Sequence, residues 1–233
     1  MADATEKYYA NERGKTEQYI GFEQKGKLIT FNPKSHVRMS PSFQPEADGV
    51  TFHLKAVYTD TLRNEYSKEH STHPIRMSRI CGPVEVVNDT TFTVRFYRMG
   101  LDNPKRTGGI CLMASVKQDH KYRSAVQQVE IRIPYRNKEG IPQRIIFPKL
   151  SDVKASVKEI SLNGTADSGL PVYYYVKEGP AEIKGDKLVL TKIPSRAKFP
   201  VKVTVVAWQY GRSGEPKVQT AEAVEQSFYI TAR

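Results

Sequence analysis

The chain has 233 residues, a formal net charge of +11, and hydrophobic residues at 39% of its length. This content of apolar and aromatic side chains excludes a disordered chain and fits one large domain or two small ones. Its longest apolar runs, such as residues 201–208, are far shorter than the ~20 residues that a membrane-spanning helix needs, so we predict no membrane span.

The first 25 residues are charged and contain Tyr8, Tyr9 and Tyr19 without a clear period. We predict that residues 1–25 are a leader that either continues an upstream domain or packs on the domain that follows. The first residues have neither a basic segment nor an apolar segment of the kind found in a signal peptide. We therefore expect any export signal to lie outside this sequence.

Residues 26–136 contain short stretches in which apolar and polar side chains alternate. In residues 92–96 and 129–133 this alternation puts apolar and polar groups on opposite faces, as in a half-buried β-strand. Turn-forming residues such as Asn88 and Gly108 separate the stretches. Residues 60–72 are polar and charged, and we predict that they form an inserted surface loop.

A repeat links this region to residues 137–233. Residues 74–89 align without gaps on residues 171–186, and later strands correspond at similar spacing. The aligned positions that are identical are Pro74 and Pro171, Gly82 and Gly179, Pro83 and Pro180, Glu85 and Glu182, and Asp89 and Asp186. The repeat predicts an all-β protein of two tandem immunoglobulin-like antiparallel β-sandwiches, at residues 26–136 and 137–233. Each Gly-Pro pair is predicted to form a sharp corner between strands.

Residues 169–191, with the sequence GLPVYYYVKEGPAEIKGDKLVLT, carry a resemblance when taken with residues 203–207 and 228–230. The pattern resembles a bacterial immunoglobulin-like repeat of large secreted and surface proteins. The first repeat keeps Gly82 and Pro83 but lacks the Gly-Leu pair before Pro74. The resemblance implies an extracytoplasmic module of a multidomain, Bacteroidetes-type protein. In such proteins these modules often follow a glycoside hydrolase, an esterase or a polysaccharide-binding region, so the implied partner is an upstream domain of the same polypeptide.

Two cysteines, Cys81 and Cys111, permit at most one disulfide. Alternation with Ala114 turns Cys111 outward, unlike the buried bridge of antibody domains. We therefore expect both to be thiols that are not joined. The five histidines are scattered and share no metal-ligand spacing with the cysteines, so we expect no metal site.

No catalytic motif is recognisable, and we predict neither enzymatic activity nor a cofactor. The sequence has no nucleophile elbow, zinc-binding helix motif or phosphate-binding loop. Glu85 and Glu182 recur at equivalent positions, but alternation with apolar neighbours turns them outward, which favours a structural role.

Four aromatic residues are candidates for ligand binding. Alternation places Tyr173 and Tyr175 on the face opposite residues 172, 174 and 176, and Trp208 and Tyr210 follow at the end of a neighbouring strand. If residues 172, 174 and 176 face the core, the two tyrosines lie side by side on the surface. These aromatics would then either cover a sheet face or an adjoining domain, or form a platform for a sugar.

The sequence thus favours a non-catalytic structural or interaction module of a larger secreted bacterial protein, accessory to a polysaccharide-processing enzyme. The alternative is a carbohydrate-binding module that uses exposed aromatics and a basic surface for acidic glycans. The cations are dispersed, without an arginine-rich helix or a basic block, so we do not expect a nucleic acid partner.

Overall fold

The structure is a computed structural model that describes residues 12–30, 39, 41–60, 63–96 and 108–232. Within these ranges the regular structure is nineteen β-strands, so the predicted all-β fold class is confirmed. The chain divides into two compact units. Unit 1 lies within Met1–Gln44, Thr51–Val94 and Gly108–Ile133, and unit 2 lies within Pro45–Val50, Arg95–Thr107 and Pro134–Arg233.

Unit 1 contains the first ten strands in three sheets. The strands are β1 (Tyr19–Gln24), β2 (Lys27–Ile29), β3 (Thr51–His53), β4 (Lys55–Asp60), β5 (Glu65–Tyr66), β6 (Arg76–Cys81), β7 (Val84–Val86), β8 (Thr91–Val94), β9 (Gly109–Val116) and β10 (Ala125–Arg132). The sheet orders are β2-β1-β4-β5, β10-β9-β6 and β3-β8-β7. Neighbouring strands in all three sheets are antiparallel.

The core of unit 1 follows from alternation along its strands. In β9 every second side chain is buried, from Ile110 to Val116, while the residues between them are partly exposed. On the β3-β8-β7 sheet, Phe52 and Phe92 are cross-strand partners whose ring centroids stack 5.5 Å apart. Such aromatic pairs stabilise a sheet beyond the area that they bury.

Unit 2 contains nine strands in three sheets. The strands are β11 (Ile145–Ile146), β12 (Val153–Lys154), β13 (Glu159–Ser161), β14 (Thr165–Ala166), β15 (Tyr173–Glu178), β16 (Ala181–Lys184), β17 (Lys187–Leu190), β18 (Val201–Trp208) and β19 (Val224–Thr231). The sheet orders are β12-β19-β18-β15, β13-β17-β16 and β11-β14, and only the β12–β19 pair among these strands is parallel.

One hydrophobic cluster joins all three sheets of unit 2. Its most buried members include Leu188 on β17, Val203 and Val205 on β18, and Ile230 on β19, all at 0% exposure. Side chains from facing sheets therefore share a single core, as in a β-sandwich.

The two units repeat the same strand arrangement. The β10-β9-β6 and β3-β8-β7 sheets of unit 1 correspond to the β19-β18-β15 and β13-β17-β16 sheets of unit 2. Gly82 and Gly179 occupy equivalent corners with φ of 96° and 103°, so both require the left-handed conformation that glycine adopts readily. The prediction of tandem immunoglobulin-like antiparallel sandwiches is confirmed.

The boundaries of the units differ from the predicted ones. Residues 45–50, together with Arg95 and Phe96, belong to unit 2, although their sequence lies in the first repeat. The segment predicted as a leader contributes β1, whose Ile20 and Phe22 are 3% and 0% exposed. β1 lies between β2 and β4 and is covered on both faces, so its sequence does not alternate. For this reason the sequence pattern does not predict a strand there. Residues 1–11 of the predicted leader lie outside the described residues.

The predicted inserted loop lies at the surface, as expected, but part of it is regular. Glu65 and Tyr66 form β5, which pairs with the end of β4. Ser71 is 1% exposed, and its backbone N–H donates to Oε1 of Gln18 over 3.1 Å. The insertion is therefore fixed to unit 1 at both ends of its described part.

Candidate functional site

Of the two arrangements left open for the four aromatic residues, the structure shows packing and no exposed platform. Trp208 and Tyr210 are both 0% exposed, and Tyr175 is 7% exposed. Tyr173 is half-buried. Residues 174 and 176 face the core of unit 2, but Tyr175 is not exposed as that arrangement predicted. Trp208 and Tyr210 are buried, so they cannot add to a surface platform.

Other aromatic rings of unit 2 cover Trp208. The ring of Phe96 meets the indole edge-on, with centroids 4.8 Å apart, and the ring of Tyr173 stacks on it at 4.9 Å. Phe96 also lies 6.0 Å from the ring of Tyr210. Consecutive residues from Val203 to Trp208 are buried, so both faces of β18 are covered. Alternation alone cannot identify a strand of this kind as having a buried outer face.

The hydrogen bonds around Tyr210 hold it as part of the fold. Its hydroxyl donates to the carbonyl oxygen of Pro134. Its own carbonyl oxygen accepts from Nδ2 of Asn137 at 2.9 Å and from Oγ1 of Thr220 at 2.6 Å. These contacts join residues 134 and 137 to the segment that follows β18, and buried polar groups satisfied in this way are features of a packed interior.

A groove of about 690 Å³ opens elsewhere on unit 2. Its walls are residues 155–158, which connect β12 to β13, and residues 190–195, 197 and 199, which lead from the end of β17 towards β18. The N–H of Leu190 donates to the carbonyl oxygen of Lys158 over 2.9 Å, which holds the two walls together. Phe199 lines the groove and remains 43% exposed, so it offers an accessible aromatic ring.

The groove is positively charged. Lys158 and Lys192 line it, both are exposed, and neither has an ion-pair partner among the described residues. The sequence signal for this charge is that residues 187–214 contain no Asp or Glu. The cations of that stretch are Lys187, Lys192, Arg196, Lys198, Lys202 and Arg212. When the net charges of the two halves of the chain are compared, this local stretch without acidic residues is not visible.

A second hollow of unit 2, of about 320 Å³, has four basic residues in its walls, and two of them, Arg136 and Lys217, are paired with carboxylates. Arg136 donates two hydrogen bonds to the carboxylate of Glu222, at 2.8 and 2.9 Å. Nζ of Lys217 lies 2.6 Å from Oε2 of Glu139, and this pair lowers the pKa of Glu139 and raises that of Lys217. These two cations are paired with carboxylates, whereas Lys158 and Lys192 of the groove are not, within the described part of the chain.

Unit 1 brings a serine, a histidine and an aspartate close together, but not as a catalytic triad. The carboxylate of Asp119 accepts hydrogen bonds from the Ser71 hydroxyl and two backbone N–H groups, which lowers its pKa to about 2. Nδ1 of His70 lies 2.7 Å from the carbonyl oxygen of Ser71, and its ring stacks on Tyr58 at 4.1 Å. A triad requires the imidazole to contact the serine hydroxyl, and here the imidazole contacts the carbonyl oxygen instead.

The described residues offer few other groups that could form a functional site. Glu85 and Glu182 are exposed at equivalent positions of β7 and β16, as alternation predicts. Within the described ranges, no group of three or more His, Cys, Asp or Glu side chains is arranged to hold a metal ion. Over the same ranges, no helix is long and apolar enough to cross a bilayer.

No family model and no curated protein matches the chain. The solved structures that it resembles include human protocadherin-24 EC1-2, with 14% identity over 83% of this chain and 94% of that one, and a TM-score of 0.31. They also include Drosophila N-cadherin EC1-3, with 12% identity over 96% of this chain and 70% of that one, and a TM-score of 0.29. Similarity at this level carries no inference about function. The class that the strands and sheets define is a tandem, all-β, immunoglobulin-like protein.

Proposed function

We propose that the chain is a non-catalytic structural and interaction module of a larger secreted bacterial protein, accessory to a polysaccharide-processing enzyme. The observation that carries this proposal is the packing of unit 2. Both faces of β18 are buried, and the aromatic residues that could have formed a reactive or binding surface are used for packing. Side chains engaged in this way support the fold rather than chemistry on a substrate.

The described charged clusters also favour a supporting role. Ser71 and Asp119 fasten the insertion of unit 1, and Arg136 and Lys217 are paired with carboxylates. The proposal includes an extracytoplasmic location and an upstream domain of the same polypeptide as partner, both of which follow from the sequence resemblance.

The test uses the complete open reading frame that contains this chain. The parent protein is assayed with and without the two units, on an insoluble polysaccharide and on a small soluble aryl glycoside. An accessory module predicts that the deletion lowers hydrolysis of the polymer and leaves hydrolysis of the small substrate unchanged. A reading frame with no catalytic region, or equal loss on both substrates, would contradict the proposal.

The groove supports a second candidate function, the binding of an acidic polysaccharide. Lys158 and Lys192 supply unpaired positive charge, and Phe199 supplies an exposed ring against which a sugar can stack. This candidate keeps the chemistry of the predicted carbohydrate-binding module but moves it from the buried aromatics to the groove.

Affinity electrophoresis tests the groove. In gels that contain polygalacturonate we expect the chain to be retarded, and in gels that contain a neutral cellulose derivative we expect normal migration. The double variant Lys158→Gln/Lys192→Gln should lose most of the retardation. The control Lys187→Gln/Lys217→Gln removes the same charge from lysines paired with Glu159 and Glu139, and should retain it. Equal loss in both double variants would mean that net charge alone causes the retardation.

A further inference from the structure

The two cysteines lie opposite each other on neighbouring strands. Cys81 ends β6, Cys111 is the third residue of β9, and the two are direct cross-strand partners in an antiparallel pair. The register shifts between Arg79 and Cys81, so a bulge in β6 brings Cys81 opposite Cys111. In a regular ladder that continued from Arg79, Ile80 would be opposite Cys111 instead.

This register satisfies the distance requirement of a disulfide. Directly opposed residues of an antiparallel pair have Cα atoms roughly 4.5–5.5 Å apart, within the range of about 4.4–6.8 Å that disulfides span. Opposed residues also project from the same face of a sheet, so the two sulfur atoms can approach each other.

The second repeat provides an independent check of this geometry. Glu178 and Thr204 occupy the equivalent positions on β15 and β18, and a register shift again precedes Glu178. Their side chains touch, with Oγ1 of Thr204 3.4 Å from Oε2 of Glu178. Side chains at this corner of the sandwich therefore do meet across the strands.

We propose that Cys81 and Cys111 are a disulfide-forming pair, closed by thiol–disulfide exchange with an external disulfide. Cys81 is exposed and Cys111 partly exposed, so a small oxidant can reach Cys81. The thiolate of Cys81 attacks the external disulfide, forms a mixed disulfide and releases one thiol. The thiolate of Cys111 then attacks Sγ of Cys81, forms the intrachain bond and releases the second thiol. Two protein thiols are oxidised and one external disulfide is reduced to two thiols.

The inference concerns the covalent state of β6 and β9 and does not depend on the proposed function. Both cysteines are free thiols in the structure, in line with the expectation from sequence, and the proposal concerns the bond that they form on oxidation. That expectation compared the pair with the buried bridge between the sheets of antibody domains, whereas these residues are adjacent within one sheet.

The test treats the reduced chain with glutathione disulfide and counts thiols with Ellman's reagent after denaturation. We expect both thiols to disappear, the chain to remain a monomer on a non-reducing gel, and its mass to fall by two hydrogen atoms. Dithiothreitol should restore both thiols. Two remaining thiols, a stable glutathione adduct or a disulfide-linked dimer would overturn the proposal.

Matched variants test whether the bond requires the direct cross-strand register or only two cysteines on the same pair of strands. Cys81→Ser and Cys111→Ser each retain one thiol, and each should accumulate the glutathione adduct. The double variant Cys111→Ser/Ser115→Cys keeps two cysteines on the same strands, but moves one of them about 13 Å along β9, opposite Arg76. It should not close. Closure of this variant as readily as the natural pair would show that the register does not determine the bond.

Discussion

Replacing Trp208 with alanine is the most direct test of how unit 2 is packed. Trp208 is the only tryptophan of the chain, is 0% exposed, and lies between the rings of Phe96 and Tyr173. We expect Trp208→Ala to destabilise unit 2 strongly. If Trp208 were instead part of an exposed ligand platform, the same change would leave stability nearly unaltered.

The magnitude follows from burial. A buried aromatic side chain removes about 150–250 Å² from water, which at about 25 cal/mol per Å² corresponds to about 4–6 kcal/mol. Two aromatic contacts add about 0.5–1.5 kcal/mol each. Nε1 of Trp208 has no hydrogen-bond partner among the described residues. Removing this buried unsatisfied group reduces the loss of stability by about 1–3 kcal/mol. At their midpoints these contributions sum to about 5 kcal/mol, the upper end of the range of about 3–5 kcal/mol measured for large aromatic-to-alanine changes in cores.

Urea unfolding followed by far-UV circular dichroism measures this loss, since the variant lacks the fluorescent indole. With a denaturant slope of about 2 kcal/mol per molar urea, the midpoint of unit 2 should fall by roughly 2 M. Phe199→Ala is the control, because Phe199 is 43% exposed and its removal should change stability by no more than about 0.5 kcal/mol. A loss below about 1 kcal/mol for Trp208→Ala would refute the packing described for β18.

Three further predictions concern unit 2. The fluorescence of Trp208 should be blue-shifted and resist quenching by iodide until urea unfolds the chain; ready quenching in the native state would contradict its burial. Burial raises the pKa of Tyr173 to about 12 from 10.0, so its contribution to stability is complete below pH 10 and is lost as the pH rises towards 12. The stability of Tyr173→Phe should consequently fall less than that of the natural chain over this window, as urea titrations at several pH values will show. Gly179→Ala should lower the free energy of unfolding by about 2–3 kcal/mol, because φ is 103° and the new Cβ would lie 2.6 Å from the carbonyl oxygen of Lys202. Gly185→Ala, with open space around it, should cost only about 1 kcal/mol, and equal losses would argue against the clash.

The strand pattern of both sandwiches could be predicted because it depends on local signals. Alternation is strict in β9, and the equivalent glycines Gly82 and Gly179 both adopt the positive φ that the repeated Gly-Pro pairs suggested. β1 could not be predicted, because a strand that is buried on both faces lacks the alternation of apolar and polar residues that identifies a half-buried strand. Local sequence patterns therefore predicted the strands of the sandwiches, whereas the burial of β1 depends on strands that are distant in sequence.

The sites were less predictable because they depend on residues distant in sequence. Nothing near Trp208 in the sequence shows that Phe96 will meet its ring, and this contact is one of those that bury Trp208. The basic groove has a local sign, the long stretch around Lys192 without acidic residues, but its opposing wall at Lys158 appears only when the strands are assembled. The alignment of Cys81 with Cys111 depends on a one-residue bulge that no composition reveals.

The position of Phe96 has a consequence for how such a protein can be altered by genetic rearrangement. Because Phe96 and residues 45–50 are encoded within the first repeat but pack in unit 2, a single cut after residue 136 keeps the core cluster of the second sandwich and removes the ring that meets Trp208 edge-on. A fragment that begins after residue 136 would expose its tryptophan to water. A rearrangement that keeps Trp208 covered must therefore carry residues 45–50 and Phe96 together with the second repeat.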